Sequence, residues 1–260
     1  MTPTMTKNLA TYLKNQNIEV TKNLTTPKVA LAIGAHPDDI EFGCGGTLAK
    51  WADQGCKIAH LVLTDGSKGS WRQDMDRNEL IKVRQLEAVA AAAEITDKTD
   101  VTFLGYVDGE LPHSIEVASK IAEHIRKIRP DVVLGHDPWK MYRLHPDHRN
   151  AGLNLTDAVV IARDPLFLPN SAYPYFRPTH LLLWEAEIED HFEEIEETVS
   201  KKAKALLAHR SQLETSMGIH NPDDPAERDE LTRRIADMST QTGAPKGLRG
   251  AEAFKLISDI

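Results

Sequence analysis

The chain has 260 residues, with 39 acidic against 31 basic side chains and a formal charge of −8. That balance gives no general attraction for phosphate backbones or anionic lipid surfaces, so neither nucleic acid nor a membrane is an expected partner. Its two cysteines, Cys44 and Cys56, make neither a disulfide framework nor a paired-thiolate zinc site, and fit reduced thiols in a cytoplasmic protein.

In chain order, the polar residues 1–26 read as an N-terminal arm, with a short helix near Leu9 to Leu13 or a subunit contact both open, and residues 27–260 as a single domain. No segment has the apolar core of a signal peptide or the roughly 18 apolar residues of a membrane span. KVALAIGA (28–35), KIAHLVLT (57–64), VTFLG (101–105), DVVLG (131–135) and THLLLW (179–184) read as strands, with helical patterns near 44–54, 76–95 and 115–128. This is the cadence of right-handed βαβ units, and it predicts an α/β, Rossmann-like architecture: a mostly parallel twisted sheet flanked by helices. Gly43, Gly45 and Gly46 lack the spacing of a dinucleotide fingerprint and read as close packing at a helix start. Farther on, HFEEIEETVSKKAKALLAHRSQ places Phe192, Ile195, Val199, Ala203 and Leu206 at helical spacing and reads as one long helix ending at His209 and Arg210. The stretches 66–75, 164–178 and 240–250 read as surface loops.

Ligands in open parallel sheets sit beyond the carboxyl ends of the strands. His36, Asp38 and Asp39 follow the first predicted strand, Asp65 the second, Asp108 the third, and the HPDH motif, His145 to His148, lies after the fourth. Right-handed crossovers bring all of these to one edge. Two adjacent aspartates at the end of a core strand need compensation, because burying an unpaired carboxylate costs several kcal/mol or shifts its pKa. A bound cation supplies it. Two histidines and one carboxylate as ligands leave a position for water, as in a catalytic zinc site. Asp38, beside a ligand, is free to take a proton from water whose pKa zinc lowers to about 7.

A lone HPDD equally describes a proline turn with an Asx cap. The second motif beyond a different predicted strand is what points to metal. The same donors describe a non-haem iron oxygenase, and a sugar-binding module without turnover would also keep them. Spacing alone makes Arg84 and Glu87 a surface ion pair. His60, His113, His124, His136, His180, His191 and His220 read as surface or hydrogen-bonded core imidazoles, His136 being notable for directly following the fourth strand. Trp71, Trp139, Tyr142 and Tyr173 either line a pocket for a sugar face or fill gaps in loops.

AHPDD with a following acidic residue and GCGGTLA, then LTDGSKG, the RQLE beginning at Arg84, FLGYVDGEL and HPDHRNAG together resemble the LmbE-like, PIG-L-type zinc deacetylases, from about Lys28 to the AEAFKLI near the C-terminus. The resemblance implies one zinc per chain on His36, Asp39 and His148, with Asp38 as general base. It implies that His145 stabilises the oxyanion and protonates the leaving amine, that Asp147 orients the His145 ring, and that Arg84 and Asp108 hold the sugar. The implied reaction is hydrolysis of an N-acyl group, acetyl above all, from a small N-acetylglucosamine-type substrate; a homo-oligomer is left open. One position departs from the pattern. Family members acting on glucosaminyl-inositol compounds carry a tyrosine two residues before the first histidine of HPDH, where this chain has Arg143, with Tyr142 one residue earlier.

Overall fold

The computed structural model describes residues 19–260, and the alternating apolar runs pair in it as a mostly parallel sheet. The helix considered near Leu9 to Leu13 lies outside the described residues. The strands are β1 (Thr21–Lys22), β2 (Val29–Gly34), β3 (Lys57–Thr64), β4 (Asp100–Tyr106), β5 (Val132–His136), β6 (His180–Trp184), β7 (His191–Glu194) and β8 (Ala251–Ser258). Their spatial order is β1-β7-β8-β6-β5-β2-β3-β4, with β8 antiparallel to both neighbours. The helices are α1 (Asp39–Asp53), α2 (Arg77–Ile95), α3 (Ile115–Ile128), α4 (Pro146–Arg163), α5 (Val199–Ala208), α6 (Leu213–Met217) and α7 (Pro225–Gly243). Among the described residues, no helix is long and apolar enough to cross a membrane.

Strands buried on both faces read as continuous apolar runs, and their successive side chains point to opposite sides. In β2, Leu31 and Ile33 join the core under α3 and α4, whereas Ala30 and Ala32 join the core under α1 and α2. From β2 the chain moves outward through β3 and β4 on one side, then returns to β5 and β6 on the other. The direction reverses between β2 and β5, which opens a crevice beyond their carboxyl ends.

Two stretches differ from the sequence expectation. HFEE is strand β7, not the start of a long helix, and the helix begins only at Val199. The reason is tertiary: β8 has a second edge, and residues 191–194 pair along it in register from His191 with Phe254 to Glu194 with Ala251. On that pairing, His191 and Glu193 share a face and bond each other at 2.9 Å. The expected loop at 240–250 instead begins as the last turn of α7. Residues Thr21–Lys22, within the expected arm, pair in parallel with β7.

Helix α1 starts at Asp39, earlier than its apolar pattern, and is interrupted at Cys44, where φ is −150° and ψ is 17°. Buried charge bridges the interruption. Lys202 Nζ donates to Phe42 O at 2.7 Å and to Glu252 at 2.6 Å, while Glu252 accepts from the Gly46 and Thr47 amides at 3.0 and 2.8 Å. Gly43 and Gly46 pack closely, as expected, a Cβ on the first lying 2.4 Å from the Trp184 ring and one on the second 2.7 Å from Ile195, whereas one on Gly45 would come no nearer than 3.5 Å to Lys202, an ordinary contact.

Candidate active site

The turn from β2 into α1 ties His36 to Asp39. The His36 amide donates to Asp39 Oδ2 at 2.7 Å, and the Asp39 amide returns to His36 O at 3.3 Å. Asp38 occupies the N-cap position with φ 117° and ψ −25°, yet its side chain caps nothing. An aspartate normally relieves a helix N-terminus there, and the positive φ is strained for a residue with a Cβ. Its carboxylate faces Arg84 instead, with Oδ2 3.4 Å from Nη2. Burial pushes the Asp38 carboxyl up to about 6, against the pull of Arg84.

The other half comes from the β5 to α4 connection. Pro146 takes the first helical position, where its missing N–H is no loss. His145 caps the helix, its Nδ1 accepting from the Asp147 amide at 3.3 Å. That bond places the proton of the neutral ring on Nε2, at the cavity mouth. Burial, helped by the neighbouring His36 and His148, holds His145 below its usual value. His148, one turn into α4, points back at the β2 turn.

His36 Nδ1, His148 Nε2 and the Asp39 carboxylate form a triangle. Its edges are 3.1 Å between the two rings, 3.3 Å from His36 to Oδ2 and 3.2 Å from His148 to Oδ1. Tetrahedral zinc with bonds of about 2.0–2.1 Å holds its donors about 3.3 Å apart, and these edges are of that length, with the two that reach Asp39 ending on its two different oxygens; His36, His145 and His148 also lie close enough together to hold an ion. The outer nitrogen of His36 faces carboxylates, Asp147 at 3.0 Å and Asp108 at 3.3 Å, the arrangement that fixes the tautomer of a metal-binding imidazole. Burial alone would lower His36, but its bonds to Asp108, Asp147 and Asp39 raise it well above the ordinary value. The carboxylates around this ring attract positive charge, whether a proton or an ion carries it. Asp39 is held well below the ordinary carboxylate range: burial opposes this, and His148 and His136 overcome it.

His36, Asp38, Asp39, Asp108, His145 and His148 all line one cavity of about 600 Å³, with Arg84 in its wall. Asp147 does not reach the His145 ring with its side chain. Its carboxylate binds His36 and the amides of Gly109 and Leu111, at 2.6 and 3.1 Å. Asp65 stays outside the cavity lining and accepts from the Ser67 and Asp108 amides, which fixes the loop carrying Asp108. Asp108 is lowered to about 2, because its bond to His36 and the nearby charges outweigh burial.

Arg84 is not a surface partner of Glu87. It is buried, donates to Gly66 O at 2.9 Å and Pro37 O at 2.7 Å, and Glu87 instead accepts from Ser211. His209 is not a solvated helix end but a fully buried partner of Glu41 at 3.2 Å. Trp71, Trp139, Tyr142 and Tyr173 are all exposed and outside the cavity lining, whose apolar surface comes from Phe42, Trp184 and Met238.

Sequence reasoning missed His136. Its Nδ1 accepts from Trp184 Nε1 at 3.0 Å, and its Nε2 stands 3.2 Å from Asp39 Oδ2. An indole N–H only donates, so the ring proton sits on Nε2 and is given to Asp39. Burial keeps the ring neutral. His136 therefore orients the carboxylate and has no free lone pair to ligate with. Its place directly after β5 was the available signal.

Residues 31–159 match the family profile described as PIG-L, GlcNAc-PI de-N-acetylase. The diacetylchitobiose deacetylase of Thermococcus kodakarensis is 32% identical over 251 residues, covering 95% of this chain and 90% of that protein. A 1D-myo-inositol 2-acetamido-2-deoxy-alpha-D-glucopyranoside deacetylase of Streptomyces avermitilis is 30% identical over 169 residues, 56% of this chain and 57% of that one. Among solved structures, N,N′-diacetylchitobiose deacetylase from Pyrococcus horikoshii, complexed with an inhibitor, matches with a TM-score of 0.79 at 26% identity, covering 99% of this chain and 94% of that chain.

Proposed function

The chain belongs to the PIG-L family of de-N-acetylases, and from that premise we propose that it is a zinc-dependent hydrolase removing the acetyl group from a small N-acetylglucosamine-type amine. The observation that carries this reading is the donor triangle of His36, Asp39 and His148 with the raised, uncapped carboxyl of Asp38 lining the same cavity. Zinc on those three residues would supply Lewis acidity, lowering the pKa of water to about 7 and polarising the amide carbonyl.

The chain's own groups then have distinct tasks. Asp38 takes the proton from the attacking water, held in place by Arg84. His145 presents its Nε2–H to the carbonyl oxygen as negative charge develops there, a position where one donor is worth about 3–4 kcal/mol. The proton that Asp38 takes up leaves with the amine, and His145, which lines the same cavity, delivers it. Asp147 and His136 fix the orientations of His36 and Asp39. Asp108 and Arg84 border the space for the sugar. Two unpaired, buried thiols support placing the enzyme in the cytoplasm. Acetate release from N-acetylglucosamine compounds by zinc-loaded protein, abolished by chelator and restored by zinc, tests the reading. Full turnover in chelated, metal-free protein would end it.

A further inference from the structure

We infer that the apolar groove beside the catalytic cavity receives the acyl group of the substrate, so that the amide cleaved carries a straight acyl chain longer than acetyl. The inference rests on the amide-hydrolase reading above and extends it on the acyl side. The groove encloses about 490 Å³, within the range of small-molecule pockets. It shares Phe42, Gly43, Glu185, Ser216 and Met238 with the lining of the catalytic cavity, so the two spaces meet along a common wall.

Its floor lies where three helices meet. Leu206 of α5, Met217 of α6 and Leu231 and Ile235 of α7 belong to one apolar cluster, and each is at most 8% exposed. At the shared wall, Phe42 and Met238 are exposed instead. Among the charged side chains bordering the groove, Lys202 binds Glu252 at 2.6 Å, Arg234 donates to Met217 O at 2.6 Å, and Glu185 pairs with Arg143. Burial raises the fifth, Glu189. What the lining leaves for a ligand is mainly apolar surface.

The order of groups across the donor triangle says which part of the substrate reaches it. On one flank, Asp108 stands 3.3 Å from the outer nitrogen of His36 and accepts from the Lys68 amide. That flank borders the space given to the sugar. On the other, Asp39 is backed by His136, His136 is held by Trp184, and Gly43 packs on the Trp184 ring. The groove begins at that second flank. An amide whose carbonyl oxygen faces His145 and whose sugar lies by Asp108 directs its acyl carbon toward Trp184 and the groove. Met217 and Met238 suit a chain lying there, because an unbranched thioether adapts its shape to what it meets. In the reaction the oxygen of water bonds to the acyl carbon, the C–N bond breaks, the amine leaves with the proton, and the chain departs as its carboxylate.

Hydrolysis of N-acetyl-, N-butyryl-, N-hexanoyl- and N-octanoylglucosamine by zinc-loaded protein tests the assignment. As the chain enters the groove, kcat/KM should rise about two- to fourfold per methylene, the weight of burying one such group. Ile235→Trp, which fills the floor, should abolish that rise and leave cleavage of the acetyl substrate unaffected. Thr242→Trp, half-buried at the far end of the same helix face, repeats the measurement if the first variant fails to fold. A rise that survives in a folded filled variant, or a wild type that cleaves acetyl faster than every longer chain, overturns the assignment and leaves the deacetylase reading intact. A rise with the length of an alkyl chain on the anomeric oxygen, and none with the acyl chain, gives the groove to the aglycone and overturns the acyl assignment. No cleavage of any of these amides by the zinc-loaded wild type overturns both readings.

Discussion

Helix α1 carries buried charge at two places a single turn apart, and the two are built differently. At the Cys44 interruption, Lys202 and Glu252 satisfy one another and the backbone groups that the broken helix frees. The positive charge there is covalently part of the chain, and nothing can replace it. Before the helix, Asp38, Asp39, Asp108 and Asp147 gather around His36, with Arg84 at 3.4 Å from one and 3.8 Å from another. The remaining positive charge sits on an exchangeable site, a proton on His36 or an ion between the rings. Burial of charge alone therefore does not mark a functional site. A closed set of donors and acceptors is structural, whereas an acidic surplus whose counter-charge can be exchanged is where chemistry can enter.

The contrast can be broken most directly at the exchangeable end. His148→Ala should lose stoichiometric zinc and acetate release together. Asp38→Asn should retain zinc, by metal analysis, while turnover falls roughly 10²–10⁴-fold, the usual weight of general acid–base catalysis. Equal turnover in Asp38→Asn and wild type at matched metal content would remove Asp38 from the role of base. At the closed end the expected effect is on folding. Lys202→Met, which strands Glu252 in the interior, should cost about 3–5 kcal/mol in urea unfolding. Replacing both partners with apolar residues should recover much of that loss.

Smaller effects sharpen the distinction. Trp184→Phe keeps a ring against Gly43 but removes the donor that fixes the His136 tautomer. Zinc affinity should fall about 10–100-fold, the range for losing a group that orients a ligand, and chelator competition measures it. The mildest prediction concerns pH. With Asp38 raised to about 6 and active as the ionised base, kcat/KM should fall as pH drops through that value. A bound dication favours the ionised form, so the limb in the loaded enzyme belongs at or below that point. Its survival in Asp38→Asn would assign it to another group.

Much of this architecture was legible along the chain because it depends on local periodicity. Continuous apolar runs at β2, β3 and β5 with turn residues behind them are strands buried on both faces, and right-handed crossovers carry the motifs that follow to one edge. That geometry and two short motifs bring His36, Asp39 and the imidazole pair His145 and His148 to one edge, while the choice of His148 as the third corner of the triangle came from the family resemblance. Strand β7 was hidden because its residues also satisfy a helical period, and only the free edge of β8 decides between them.

Sequence by itself determined which ionisable groups stand beyond the strand ends, since strand, turn and crossover are set by neighbouring residues. The tertiary structure alone decided what each group faces: Arg84 turned inward onto Asp38, Asp147 on His36 instead of the His145 ring, and His136 held by Trp184 behind Asp39. Each of those contacts joins segments through a proton whose position depends on the partner's donors and lone pairs. Partners separated by long stretches of chain leave no period or spacing from which that direction could be read.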